Sequence, residues 1–251
     1  MTTCRSVLAL GLIALAFVVP SASGQTRDDI AFFQDVGPAG ANGAWVLSAG
    51  PPNAVVVFVH GWRDVGTGPY FLWLEHLAFG GTASIVPRYQ SPAGGSPART
   101  LPALRAGIAA GLDALHNPKV PLLVVGYDYG ARLAFYYAAN AQRWGLPAPF
   151  AVDSIFPTKA PAGLPALGPI PAATRVLLQV GADDTVAGGT AAADLWSGLA
   201  GHSAARKHYR LVRSTAALPA GHHAPLADNA ASRAAFWPSL DTLIERAVSP
   251  G

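Results

Sequence analysis

Four short segments combine glycine with side chains that can do chemistry: His60-Gly61-Trp62, Gly126-Tyr127-Asp128-Tyr129-Gly130, Gly181-Ala182-Asp183-Asp184 and Gly221-His222-His223-Ala224-Pro225. A carboxylate can attack an electrophilic carbon, an imidazole can move a proton, and a second carboxylate can hold that imidazole in one tautomer. In chain order the candidates are Asp128, Asp184 and His222, with His223 as the alternate histidine. Asp184 is preferred to Asp183, because the third residue after Gly181 falls on the loop and Asp183 is its solvated neighbour. Two adjacent histidines without a third spaced ligand are a poor metal site, so no metal is expected. His202 and His208 read as surface residues, and Asp153, inside a strand, reads as structural.

Three of the four segments follow runs that read as strands, and the fourth stands near the end of the chain. Val55 to Val59 is apolar and mostly β-branched, bounded by Pro51-Pro52-Asn53 and His60-Gly61, as expected for a strand covered on both faces. Further strands are expected at Ala83 to Val86, Leu122 to Val125, Phe150 to Phe156, Arg175 to Val180 and Lys207 to Val212. Between them lie helical stretches: Tyr70 to Phe79, Arg99 to Leu115, Gly126 through Ala141, Ala191 to Leu199 and Asn229 to Ala247. Alternation of this kind specifies an α/β protein with a mostly parallel sheet and helices on both faces. Its ligands bind beyond the carboxyl ends of the strands, where three of the four segments stand.

The composition narrows the class. Of 251 residues, 51% are hydrophobic and 12% charged, which excludes whole-chain disorder. Lys and Arg exceed Asp and Glu by 17 − 14 = +3, with no basic stripe, so nucleic acid is not an expected partner. Arg5, the apolar run Val7 to Val19, Pro20 and the small residues Ser21-Ala22-Ser23-Gly24 have the anatomy of a signal peptide over residues 1–24. The run is short for a bilayer span. A secreted or periplasmic mature domain over residues 25–251 is expected, with no stable membrane insertion after cleavage. Cys4, the single cysteine, precedes the run, so the mature domain has no disulfide and no thiol nucleophile.

The order elbow residue, acid, histidine resembles that of α/β-hydrolases, and Gly126 with Gly130 is the most specific part of the likeness. The segment from His60 to Gln90, with Trp73, His76-Leu77 and Pro87-Arg88-Tyr89-Gln90, is similar to small secreted bacterial hydrolases. The resemblance implies a strained strand-to-helix turn at Asp128, with Gly126 and Gly130 giving clearance. It implies oxyanion donors at the Trp62 and Tyr129 backbone N–H groups, and His60 with Gly61 orienting the first of them. Likeness of His222-His223-Ala224-Pro225 to a His-Phe-Ala-Pro segment implies His222 as the base. No cofactor is implied, the substrate is a small molecule, and the oligomeric state is left open.

The departure is Asp128, which stands where such hydrolases carry serine. Three readings follow. The chain hydrolyses a small ester-like substrate with an Asp-His-Asp site. Alternatively it is a non-catalytic secreted binding protein, or Asp128 attacks an sp³ carbon, as in haloalkane dehalogenases and epoxide hydrolases. Those last branches carry a helical cap. Here the segment from Pro157 to Ala173 holds prolines at 157, 161, 165, 169 and 171, a density that prevents helices, so no cap is expected. Trp62 and Trp73 are open to either a pocket or a core role.

Overall fold

The computed structural model describes residues 31–159 and 161–249; the expected signal peptide lies outside them. Its centre is an eight-stranded sheet in the order β1-β2-β4-β3-β5-β6-β7-β8. The strands are β1 (Ala31–Val36), β2 (Ala44–Ser48), β3 (Ala54–Val59), β4 (Thr82–Pro87), β5 (Leu122–Tyr127), β6 (Ala151–Ile155), β7 (Arg175–Gly181) and β8 (Lys207–Val212). From β4 to β8 every neighbouring pair is parallel. The expected central strands are buried along their whole length, as β3 and β5 show.

Five helices cover the sheet: α1 (Phe71–Phe79), α2 (Pro97–Ala114), α3 (Tyr129–Trp144), α4 (Thr190–Ser197) and α5 (Ala230–Val248). Alternation along each strand sends its residues to opposite faces. Val55, Val57, Val59 and Val124 pack with α2, α3 and α4. Val56, Phe58, Leu123 and Val125 pack with α1 and α5. The helix ends follow local chemistry. Pro97 occupies the first turn of α2 after extended Ser96. Asn229 caps α5 through a bond from the Ser232 N–H at 2.8 Å. Gly145 closes α3 at φ +70°.

Two elements were not visible in the sequence. β1 and β2 form an antiparallel edge, β1 on β2 and β2 on β4. Neither is a long apolar run, and β2 is only 5 residues between Gly43 and Gly50. The segment from Pro157 to Ala173 contains no helix or strand among its described residues. It lies as a strap over α3, where the Tyr136 hydroxyl donates to the Pro165 carbonyl at 2.6 Å. Among the described residues no cap covers the carboxyl ends of the strands.

One placement corrects the sequence reading. His202 is buried, with its Nε2 3.2 Å from the Pro171 carbonyl. The turn after α4 folds back against the end of the strap, a contact between segments far apart in sequence. His208 is exposed as expected.

Candidate active site

Asp128 sits at the junction of β5 and α3 with φ 55° and ψ −120°. A non-glycine residue in such a conformation stores roughly 1–3 kcal/mol of strain, held by its surroundings. Its N–H donates to the Ile155 carbonyl at 3.1 Å, and its carbonyl accepts from Thr158 N–H at 3.2 Å. The flanking glycines explain how the turn is possible. A Cβ on Gly126 would lie 2.2 Å from the Gly130 carbonyl oxygen, and one on Gly130 would lie 2.1 Å from that of Val59.

The turn lifts the Asp128 carboxylate to the end of the sheet, where the loops after β7 and β8 deliver its partners. His222 Nε2 lies 3.4 Å from Asp128 Oδ1. His222 Nδ1 lies 2.9 Å from Asp184 Oδ2. The other Asp184 oxygen accepts from the Val186 and Ala187 N–H groups at 3.0 and 2.9 Å, so this carboxylate cannot turn away. All three residues are buried. His223 is exposed and contacts neither carboxylate; its Nδ1 faces the Tyr127 hydroxyl at 3.4 Å. Asp183 is exposed and accepts from the Ser214 hydroxyl.

The charges reinforce one another. Burial alone would raise the Asp128 carboxyl, but hydrogen bonds from His222 and from the Trp62 and Tyr129 N–H groups outweigh it and hold it below its ordinary value. Burial would lower His222, but Asp128 and Asp184 on its two nitrogens outweigh that and raise it. The site therefore sets His222 between the Asp128 and Asp184 carboxyl groups, which favour its protonated form more than in a free imidazole. Trp62 N–H donates to Asp128 Oδ2 at 2.7 Å. The Trp62 donor is thus already engaged by the carboxylate.

The Trp62 donor is aimed by a cluster around Gly61. The Gly61 N–H donates to the Tyr70 hydroxyl at 3.0 Å, and its carbonyl accepts from Gln90 Nε2 at 2.8 Å. His60 Nδ1 is 2.9 Å from the same carbonyl. Burial lowers His60 to about 4, so its ring is neutral, and it stacks on Tyr89 at 4.3 Å. His60 is an orienting residue with no contact to the acids.

Three site residues were missed in the sequence. The Tyr127 hydroxyl donates to the His222 carbonyl at 3.0 Å and its ring lies 5.2 Å from the imidazole. Tyr70 pins Gly61 from a helical turn that reads as plain core. Asp64 is raised by burial and by the nearby Asp128 charge; an acid four residues beyond His60, on the loop after a buried strand, was the available signal.

The residues flanking Asp128 open on a small depression of about 140 Å³, lined by Trp62, Tyr129, Thr158, Lys159 and Pro161, with Asp128, Asp184 and His222 outside its lining. Trp62 is 40% exposed and meets Tyr129 edge-on at 5.3 Å, so it belongs to the wall of that depression. Trp73 is core, packed on Phe58 and Trp237. Among the described residues no cluster of three metal-ligating side chains occurs, and no helix is long and apolar enough to cross a membrane.

The sheet order, the strained turn and the positions of the loops define an α/β-hydrolase fold without a cap. Solved structures agree. The chain superposes on MGS-M1, an α/β-hydrolase enzyme from a Medee basin deep-sea metagenome library, with TM-score 0.65 and 14% identity over 87% of this chain and 98% of that one. Esterase B from Lactobacillus rhamnosis gives 0.64 and 13%, over 90% and 89%. A dienelactone hydrolase-like promiscuous phosphotriesterase from metagenomic libraries gives 0.57 and 16%, over 81% and 92%. No family model matches the sequence, and no curated protein matches it.

Proposed function

We propose that the chain is a hydrolase of small substrates that reach an open cleft, with Asp128 as nucleophile, His222 as proton carrier and Asp184 as its orienting acid. The observation that carries this reading is the division of labour between the two Asp128 oxygens. Oδ2 accepts from Trp62 N–H, while Oδ1 faces His222. A carboxylate so held suits attack on an sp³ carbon that carries a leaving group: a halide, an epoxide oxygen, or an ester oxygen on its alkyl side. Attack on an acyl carbon would form an anhydride, which is too energetic to be a good intermediate.

Oδ1 attacks the carbon and the leaving group departs with its electron pair, giving an alkyl ester of Asp128. Loss of the Asp128 charge removes one of the two groups that raise His222, which favours the neutral imidazole and sends any proton it carries to the departing group or to solvent. Neutral His222 takes a proton from water, and the hydroxide adds to the Asp128 carbonyl carbon. The oxyanion forms at Oδ2, facing the Trp62 N–H group. Collapse expels the alkoxide and His222 protonates it to the alcohol; the Asp128 carboxylic acid left behind then passes its proton to the neutral imidazole and returns as the carboxylate.

The test is intact mass spectrometry of His222→Ala after incubation with short epoxides, haloalkanes and esters. The expected result is an alkyl adduct mapped to Asp128, because hydrolysis of the ester needs the imidazole. If no substrate leaves an adduct, and Asp128→Ser instead hydrolyses p-nitrophenyl esters only with His222 intact, the proposal fails. The native chain is then a binding protein on a hydrolase frame. One observation favours that second reading: the occupied Trp62 donor leaves less of the oxyanion site to a substrate carbonyl.

We further propose export of the chain with removal of residues 1–24, which Arg5, the apolar run and Ser21 to Gly24 support. Edman sequencing of the exported protein should begin near Gln25.

A further inference from the structure

At the opposite end of β7 and β8 from the candidate active site lies a cavity of about 580 Å³, against about 140 Å³ for the depression beside Asp128. It lies between β7, β8 and α5. Ala234, Ala235 and Pro238 present little side chain to β7 and β8 there, and Pro238 interrupts the helix hydrogen bonding.

Its lining is one-signed. Arg175, Arg206, Lys207, His208, Arg210 and Arg246 contribute, and no Asp or Glu does. Strand alternation sorts them. Lys207 turns to the α4 face, where its Nζ lies over Trp196. Leu177 pairs with His208 and Gln179 with Arg210 in the β7–β8 register, and Leu177 packs with the α5 face. Arg175, His208 and Arg210 therefore share the α5 face, and Arg246 reaches them from α5. Among the described residues none of these four makes an ion pair with a carboxylate. Arg210 donates to Gln179 Oε1 at 3.0 Å and to the Ala235 carbonyl at 2.8 Å. The acid behind it, Asp153, is reached only through Gln179 Nε2 at 2.8 Å.

Two further features shape the site. The Arg175 guanidinium is held over the Phe150 ring at 5.6 Å and donates from Nη1 to the Ala205 carbonyl at 3.3 Å, with its positive charge unopposed by a carboxylate among the described residues. The floor between the cations is apolar, made by Leu177, Leu243 and Pro238. A cavity of this size, mostly apolar with a few convergent donors, has the dimensions of a small-ligand site.

We propose that this cavity binds an amphiphilic anion, an alkyl chain ending in a carboxylate or phosphate, with the chain on Leu177, Leu243 and Pro238 and the head among Arg175, His208, Arg210 and Arg246. It is a second site, independent of Asp128 and His222, and it separates the anion from the candidate active site.

Isothermal titration of the intact protein tests it with four probes: octyl phosphate, octanoate, inorganic phosphate and neutral octyl glucoside. Saturable binding of octyl phosphate or octanoate is expected, with inorganic phosphate and octyl glucoside each weaker by about tenfold or more. Whichever of the two anions binds more tightly identifies the head group. Arg246→Met, an exposed position that leaves the fold intact, and Arg175→Met should each weaken the anion by about tenfold. His222→Ala should leave it unchanged. Equal binding of octyl glucoside, binding of inorganic phosphate as tight as octyl phosphate, loss in His222→Ala, or no change in both arginine variants overturns the proposal. So does the absence of binding by every probe.

Discussion

The Asp128 Oδ2 oxygen lies 2.7 Å from the Trp62 backbone nitrogen. A residue at the end of β5 is thereby tied to the loop after β3, across 66 positions of sequence. The same carboxylate reaches His222 through its other oxygen. The candidate nucleophile is held at both oxygens before any substrate arrives, which limits its motion and sets its charge.

That charge gives a pH window. Asp128 is held below its ordinary 3.8, so its contribution to stability is present above pH 3.8 and is lost as pH falls through the folded value. His222 is held above its ordinary 6.5, so its contribution is full below pH 6.5 and is lost as pH rises through the folded value. The ion pair contributes fully between those limits. The Tm difference between native protein and Asp128→Asn should be largest between pH 3.8 and 6.5 and shrink on both sides. An NMR titration of His222 should find a midpoint above 6.5 that moves down in Asp128→Asn.

Asp184 is bound by two backbone N–H groups through one oxygen and by His222 through the other. Asp184→Asn keeps the shape and the loop contacts but offers an amide where Nδ1–H needs an acceptor. The fold should survive, with an unchanged circular dichroism spectrum. Turnover of any substrate that labels Asp128 should fall by about 10³–10⁴, the size of effect seen when such a carboxylate is lost.

Gly130 has no room for a methyl group, because both the Val59 and His60 carbonyl oxygens lie within 2.3 Å of where its Cβ would stand. Those oxygens belong to β3 backbone and its following loop, so relief requires moving the strand. Gly130→Ala should destabilise by about 3 kcal/mol, the upper range for overpacking. Denaturant unfolding with an unchanged m-value measures it. Gly145→Ala, where nothing lies within 4 Å, serves as the control; its φ of +70° gives a smaller loss of about 1 kcal/mol.

Asp153 behaves in the opposite sense to Asp128. Burial pushes it up from 3.8 to about 7, against the Gln179 hydrogen bond and the Arg210 charge. A carboxyl raised in the folded state makes the protein less stable as pH rises from 3.8 to about 7, after which the loss is constant. Asp153→Asn keeps an oxygen for Gln179 and removes the titration. Thermal melts should show it gaining on the native protein steadily between pH 4 and pH 8, with no gain at the acid end.

Much of the molecule was legible in order. Val55 to Val59 and Leu122 to Val125 are apolar on both sides, a pattern only a covered strand explains. The glycines at 126 and 130 mark a turn too tight for any side chain, and the prolines after Phe156 rule out a cap. Those are local properties: hydrophobic period, chain clearance and proline geometry act within a few residues. Asp128 and Asp184 could be nominated because each follows a strand, and strand ends meet at one rim of a parallel sheet. His222 could be nominated from the segment His222-His223-Ala224-Pro225 near the end of the chain.

What only the tertiary structure decided is contact between distant segments. His222 rather than His223 meets the acids, because the Tyr127 hydroxyl holds the His222 carbonyl and turns its ring toward Asp128. Two histidines side by side in sequence look alike until a third segment chooses between them. His202 is buried by the strap at Pro171, and Trp62 is exposed while Trp73 is core. The basic cavity between β7, β8 and α5 follows from strand register and from the small residues and proline that α5 turns toward it. None of these is set by the neighbours along the chain. They arise from packing, where the free energy of a side chain depends on which surfaces the whole fold brings to it.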